Sequence, residues 1–384
     1  MKYFTLTQLF ECGYIVNRER ERKISGNYHA AGAPVEMRQV AATARAAESL
    51  MIPEISVIIP TYNRRLMVRD AVESVLAQRG CNFELIVVDD GSTDGTAEAL
   101  EPTAAAFNEN RAENAFQILR TGNRGPAAAR NHGVRIARGE FIAFLDSDDL
   151  WMSDKLARQL AFMRENPSLT ISQSQEIWMR NGRRVSPGRR HLKRAGDFFT
   201  DSIRTCLVSP SAVILHSAFF RAFGGFDENF IACEDYDLWL RILAGHEIGL
   251  LDEPLVIRRA GHSDQLSAAT PALDRFRILA LLKLLAGANL APDRRTAVCK
   301  GLAEKCHIYA GGLGRRGFHE MARKFGEIAT RASDAWRIGE TEDLENTLAY
   351  VRQFVSEKSF AEKKPAEKNS TARPRTAVNH ERPE

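Results

Sequence analysis

The sequence predicts an α/β protein: a mostly parallel sheet flanked by helices, followed by a helical C-terminal extension. Three observations carry this. From residue 52 to about 265, short apolar runs alternate with segments of helical period, and strands alternating with helices form parallel sheets covered on both faces. The runs are almost unbroken, as in strands buried on both sides. From about 271 to 354 apolar residues recur at helical spacing, as in "FRILALLKLLAGANL" and "LAEKCHIYAGGL".

Taken in order, residues 1–50 show no clear period and read as a loose extension; the patterned domain spans 51–270. "ISVIIP" (55–60) is a strand closed by Pro60, and "LMVRDAVESVLAQ" (66–78) has the period of a helix. Phe83–Val88 is the second strand and ends in Asp89 and Asp90. A Ser/Thr/Asp/Gly turn then leads to a helix over 97–107 through a Ser92-type cap. "FQILR" is the third strand. Gly125-Pro126 opens a helix that stops at Gly139, since proline fits a first helical turn and glycine follows a last one. "FIAFL" (141–145) is the fourth strand and runs into Asp146, Ser147, Asp148 and Asp149. "LVSPSAVILH" (207–216) is a turn then a strand, and Leu238, Trp239, Ile242 and Leu243 form the apolar face of a later helix. Residues 271–354 are helical. The tail, 355–384, is charged, nearly free of aromatics and expected to be disordered.

Composition removes several classes. The chain has 384 residues and a net charge of +4, too little for a polycation that binds nucleic acid. Its six cysteines stand at 12, 81, 206, 233, 299 and 306 with no C-x-x-C pair, so no zinc ribbon or dithiol motif is expected. Cys299 and Cys306, two helical turns apart, share a core-facing side. A reducing, cytoplasmic setting fits free thiols. No apolar run is long enough to span a bilayer, and polar residues break "MKYFTLTQLFECGYIV" too early for a signal peptide.

In open α/β sheets, ligands bind beyond the carboxyl ends of the strands. Asp89-Asp90 and Asp146-x-Asp148 both fall there, on one sheet edge. Crowded carboxylates need a cation to offset their repulsion, and hard oxygen ligands suit Mg²⁺ or Mn²⁺. Mg²⁺ takes one or two carboxylates and fills its shell with water and phosphate oxygens. A lone D-x-D is more often a solvated turn; the second acidic pair argues against that here. Thr61 and Asn63 follow the first strand on the same edge. Arg124 and Gly125 sit where the helix at Pro126 opens, and a helix N-terminus beside an arginine favours an anion. Arg130, one turn in, reads as a ligand contact or as an ion pair with a core-edge aspartate.

"VIIPTYNR", "VVDDGSTDGT", "RGPAAARNHGV", "FIAFLDSDD", "GGFDE" and "EDYDLWLR" occur in that order. Over about residues 54–265 the chain resembles the family 2 glycosyltransferases, which have the Rossmann-like GT-A fold of nucleotide-diphospho-sugar transferases. The resemblance implies inverting transfer of a sugar from a nucleotide diphosphate, of UDP type, to a hydroxyl on a glycan or lipid-linked acceptor, in bacterial cell-wall or polysaccharide synthesis. It implies that Thr61, Asn63, Asp89 and Asp90 line the nucleoside pocket, with Asp90 contacting the base and Asp89 as the alternative. Asp146 would face the ribose or a metal-bound water, and Asp148 the metal. The general base falls on Asp235, beside Glu234. His262, in "RRAGHSDQLS", would reach the metal or diphosphate.

The chemistry suits those roles. Leaving phosphates gather negative charge, which a divalent cation and a helix N-terminus stabilise. The entering hydroxyl loses a proton, so one carboxylate must stand across the sugar from them. As a bare residue pattern, Glu234 or Asp235 could equally cap its helix. A sugar nucleotidyltransferase is the runner-up, but "PTYNRR" lacks the Gly-rich loop expected of one. A non-catalytic glycan- or nucleotide-binding descendant is a third class; loss of Asp148 or Asp235 would have pointed to it, and both are present. Finally, "MRNGRRVSPGRRHLKR" (179–194) has seven basic residues besides a histidine and no acid. Arg189, Arg190, Lys193 and Arg194 are expected to meet a phosphate-bearing acceptor or the inner face of an anionic membrane.

Overall fold

The structure is a computed structural model that describes residues 52–109, 111, 115–261, 270, 272–334 and 342–356. β1 (Ile55–Thr61) and β2 (Phe83–Asp89) are buried at every position. They pair in parallel, from Ile55 opposite Phe83 to Thr61 opposite Asp89. β3 (Phe116–Arg120) joins the far side of β2, and β4 (Phe141–Phe144) the other side of β1, both in parallel. The helices α1 (Arg65–Leu76), α2 (Glu101–Asn108) and α3 (Pro126–Ile136) lie between these strands in the chain.

Beyond β4 the sheet becomes mixed. β8 (Val213–His216) pairs antiparallel with β4 and with β6 (Ile171–Arg180). β9 (Gly249–Ala260) runs parallel to β6, and β5 (Leu150–Trp151) pairs antiparallel with β9. β7 (Arg183–Val185) folds back on β6 as a hairpin, and the short helices α5 (Phe199–Arg204) and α6 (Ser217–Ala222) flank β8 in the chain. The strand order is β3-β2-β1-β4-β8-β6-β9-β5, with β7 off this path.

Residues of β1 alternate between the two faces of the sheet, as strand geometry requires. Val57 and Ile59 pack in one core with Val68 and Val72 of α1 and Leu160 of α4 (Lys155–Glu165). Ile58 faces the other core with Phe144, Phe226 and Trp239. That second core continues without a break into the C-terminal helices α8 (Asp274–Gly287), α9 (Pro292–Arg315), α10 (His319–Asp334) and α11 (Glu342–Ser356) through Phe276, Leu302, Phe325 and Leu344. Cys299 and Cys306 are both fully buried on α9. Gly139 allows the chain to return against β1: a Cβ there would stand 2.5 Å from the Ser56 amide nitrogen.

The helix after β2 differs from the expectation. It starts at Glu101, and Leu100 before it makes no side-chain cap. Ser92 instead accepts the Asn63 N–H at 2.8 Å. Residues 91–96 find their partners in a tight turn and across to the neighbouring loop: Asp94 accepts the Thr96 N–H at 3.0 Å and the Arg65 N–H at 3.2 Å. With those donors satisfied, the segment has no need to be helical. The expectations for residues 1–50 and for the tail beyond Ser356 lie outside the described residues. No helix among the described residues is long and apolar enough to cross a membrane.

Candidate active site

The loops after β1, β2 and β4 meet at one sheet edge. Asn63 knits the first two together: it adopts the left-handed conformation (φ 50°), which asparagine tolerates. Its own N–H donates to Ser92, and its Oδ1 accepts the Thr93 N–H at 2.8 Å. Thr61 is buried, and its hydroxyl has no partner among the described residues. Such a group is one that a ligand or an ordered water satisfies.

Asp89 and Asp90 are both buried. Asp89 accepts the Ser92 N–H at 2.9 Å. Asp90 reaches to the loop that opens α3: it accepts the Thr121 hydroxyl at 2.8 Å and the N–H groups of Arg124 at 2.9 Å and Gly125 at 2.6 Å. A carboxylate offers about four acceptor directions, so three protein donors leave little room for a ligand on Asp90. Gly125 has φ 93°, which favours glycine. The Arg124 side chain points away to Glu228 at 2.8 Å and is largely exposed.

Carboxylate oxygens of Asp146, Asp148 and Asp149 lie within 4.8 Å of one another. They are not equivalent. Asp149 is buried and accepts the Ser211 hydroxyl at 2.7 Å and the Arg259 N–H at 3.0 Å. Burial, then Asp148 and Asp146, push its carboxyl well above the usual range. Asp148 is paired with Arg64 at 2.9 Å, and Asp146 with Arg130 at 2.6 Å. Two partly accessible carboxylates backed by a third that is held internally are a donor set that could hold a metal ion.

Arg130 joins the two halves of the site. Its side chain is only 6 % exposed and bridges Asp146 to Glu234, the latter at 2.7 Å. Its guanidinium lies 5.2 Å from the Phe226 ring centre. Burial opposes its charge, and Asp146 and Glu234 outweigh that and raise its pKa. Removing one member of a buried pair typically costs about 3–5 kcal/mol because charge is left unpaired. Arg130→Met is therefore expected to lower the thermal midpoint by roughly 10 °C, and Arg130→Lys by less. An unchanged unfolding curve for Arg130→Met would show that the bridge is energetically idle.

α7 (Glu234–Leu243) follows Cys233, which is left-handed at φ 61°. The two acids at its start separate cleanly. Glu234 is buried against Arg130, whereas Asp235 is half-buried and lines a small cavity with Arg258, Glu176, Trp178, Lys193 and Cys206. Asp235 accepts the Tyr236 N–H at 2.7 Å and faces the Cys206 thiol at 3.6 Å.

Four contributors went unforeseen. Arg64 holds Asp148. Arg258 stands where the charges of Glu176, Asp149, Asp146 and Asp235 all act on it; burial lowers its pKa and those carboxylates more than offset this. Its side chain makes no hydrogen bond among the described residues, only a 3.9 Å approach to Glu176 and a 4.9 Å approach to the Trp178 ring. Glu176 and Lys193 pair at 2.9 Å, both nearly buried. Burial would raise the Glu176 carboxyl, but Lys193 and Arg258 prevail and hold it at about 2. This corrects the reading of the basic stretch: Lys193 faces inward to a buried carboxylate, and Arg194 pairs with Asp201. Lys193 is thereby unavailable to a membrane or an acceptor phosphate, and Arg194 is already engaged by Asp201. Nothing in local sequence marks Glu176 as the carboxylate that needs Lys193. His262 lies outside the described residues.

Against known proteins, the description "Glycosyl transferase family 2" matches residues 56–222. An uncharacterized glycosyltransferase of Rickettsia conorii is 38 % identical over 202 residues, 53 % of this chain and 32 % of that protein. The Escherichia coli UDP-Glc:alpha-D-GlcNAc-diphosphoundecaprenol beta-1,3-glucosyltransferase WfgD is 32 % identical over 202 residues, 52 % of this chain and 73 % of its own. The S. aureus TarS 1–349 crystal structure superposes with a TM-score of 0.57 at 20 % identity, covering 79 % of this chain and 88 % of that one. The chain belongs to the family 2 glycosyltransferases, and its mixed α/β sheet with a helical C-terminal region has the GT-A fold. It spans about a third of the length of the Rickettsia relative.

Proposed function

We propose that the protein is an inverting glycosyltransferase that moves a sugar from a UDP-type donor to a hydroxyl on a lipid-linked glycan. One observation carries this: an acidic cluster suited to a cation and a separate half-buried carboxylate, Asp235, flank one site, with Arg130 fixing the elements that bear them. The donor and acceptor classes follow WfgD, whose name states both.

In this reading Thr61, Asn63, Asp89 and Asp90 form the nucleoside side, with the Thr61 hydroxyl still open to a partner and Asp90 shaping the wall through the loop it holds. Arg124 and Gly125 act at the start of α3 by fixing Asp90 through their N–H groups, and Asp146 and Asp148 would hold the cation. When bound, that cation offsets charge on the leaving phosphates. The acceptor oxygen forms a bond to the anomeric carbon as the carbon–oxygen bond to the β-phosphate breaks. The nucleoside diphosphate leaves with the electron pair, and Asp235 takes the acceptor's proton.

The test is incubation with a panel of nucleotide sugars, with and without a polyprenyl-diphosphate-linked sugar. Acceptor-dependent release of free nucleoside diphosphate is expected. Pyrophosphate formed from a sugar phosphate and a nucleoside triphosphate would point to a nucleotidyltransferase instead. No turnover of any donor that binds would make the chain a binding protein.

A further inference from the structure

We propose that the β6–β7 hairpin and the segment after it form a contact surface for an anionic lipid bilayer. The residues are Arg180, Arg183, Arg184 and Arg189, with Val185 and Leu192 among them; Arg180, Arg183 and Val185 share one face of the hairpin and Arg184 stands on the other, so the hairpin would meet the lipid by its tip. All six are exposed, Leu192 at 51 % and Val185 at 36 %. Between Glu176 and Asp197 the chain contains no acidic residue.

Clustering sets this patch apart: its four arginines fall within ten residues with no acid among them. Some exposed arginines elsewhere, such as Arg120, Arg158 and Arg164, hold carboxylates at 2.6–2.7 Å. The four arginines of the hairpin region hold none among the described residues. Moreover, Arg180 stands directly across the hairpin from Arg183. Like charges directly opposed on paired strands are destabilising, and an anion between them reverses the sign. The surface therefore carries an unmet demand for negative charge.

The exposed apolar side chains choose the source of that charge. A nucleic-acid backbone offers phosphates alone. A bilayer offers phosphates above an apolar interior, so Val185 and Leu192 gain by entering while the arginines stay at the headgroups. The position is apt as well. Trp178 and Lys193, at the base of this region, line the cavity that contains Asp235. A surface seated on lipid would bring the headgroup plane near the mouth of that cavity. The delivery of a lipid-linked acceptor rests on the transferase reading; the lipid contact itself does not.

The experiment is flotation of the full chain with vesicles, in the absence of nucleotide sugar. Wild-type protein is expected to float with equimolar phosphatidylcholine–phosphatidylglycerol vesicles at low salt and not with phosphatidylcholine alone. Each Arg→Gln change among the four should weaken binding about fivefold, and the four together by about 10²–10³-fold. High salt should erase the difference. Leu192→Ser should weaken binding at every salt concentration, a loss that charge screening does not explain. Thermal unfolding checks that the variants fold, and the Arg183→Gln/Arg184→Gln pair serves if the fourfold variant does not. Equal flotation of wild type and variants overturns the proposal, as does equal binding to neutral vesicles or no binding to either. A single-stranded oligonucleotide that binds more tightly than the anionic vesicles, with the same arginine dependence, would assign the patch to nucleic acid and also overturn it. Because no turnover is measured, failure here leaves the transferase reading standing.

Discussion

Asp235→Asn is expected to cut turnover by about 10²–10⁴-fold, the usual loss when a general base is removed, with donor affinity nearly unchanged. Asparagine keeps the size of the side chain and can still accept the Tyr236 N–H, so the start of α7 should hold its shape. The neighbouring acid provides the control. Glu234 is buried on Arg130, so Glu234→Gln should show mainly as lost stability. Steady-state kinetics and thermal unfolding of both variants separate the roles. Full turnover in Asp235→Asn together with a dead but stable Glu234→Gln would move the base by one position.

Chelation should abolish most turnover, and Asp148→Asn should do the same at about 10²-fold or more, given that a cation contributes several kcal/mol to charge stabilisation in such displacements. The fold should barely respond. Asp148 pairs with Arg64 at 2.9 Å, and asparagine keeps the size of the side chain and an oxygen that accepts from Arg64, so the loss of stability should be small beside the loss of turnover. Mn²⁺ or Mg²⁺ titrated into chelated protein should restore activity in the wild type and not in the variant. Chelator-treated protein with full activity would end the metal-assisted reading of Asp146 and Asp148.

Much of the parallel half of the sheet was legible because its physics is local. Ile55–Thr61, Phe83–Asp89 and Phe141–Phe144 are almost unbroken apolar runs, interrupted only by Ser56 and Glu84 before their ends, and their burial follows. In the mixed half the strand within 207–216 was legible, but not its place, since β8, β6 and β9 are ordered by pairings between residues far apart in the chain. Helix α2 was placed too early because the cross-loop bonds of Asn63, Ser92 and Asp94 cannot be read from segment 91–100 alone. The same limit applies to charge. Asp146, Asp148 and Asp235 stood out by type and spacing. Whether a basic residue faces solvent depends on partners such as Glu176 for Lys193 and Asp148 for Arg64, which only the fold brings near.

The apolar core on the α7 side of the sheet has one more consequence. The family description ends at residue 222, yet Phe144 and Trp239 share their packing with Phe276, Leu302, Phe325 and Val351. Lys283 of α8 also reaches Asp237 of α7 at 2.7 Å. The stretch that the family description covers is thus smaller than what is buried together. Drift in the C-terminal helices is constrained by the sheet they cover, even though none of them supplies a residue to the acidic cluster or to the cavity that holds Asp235.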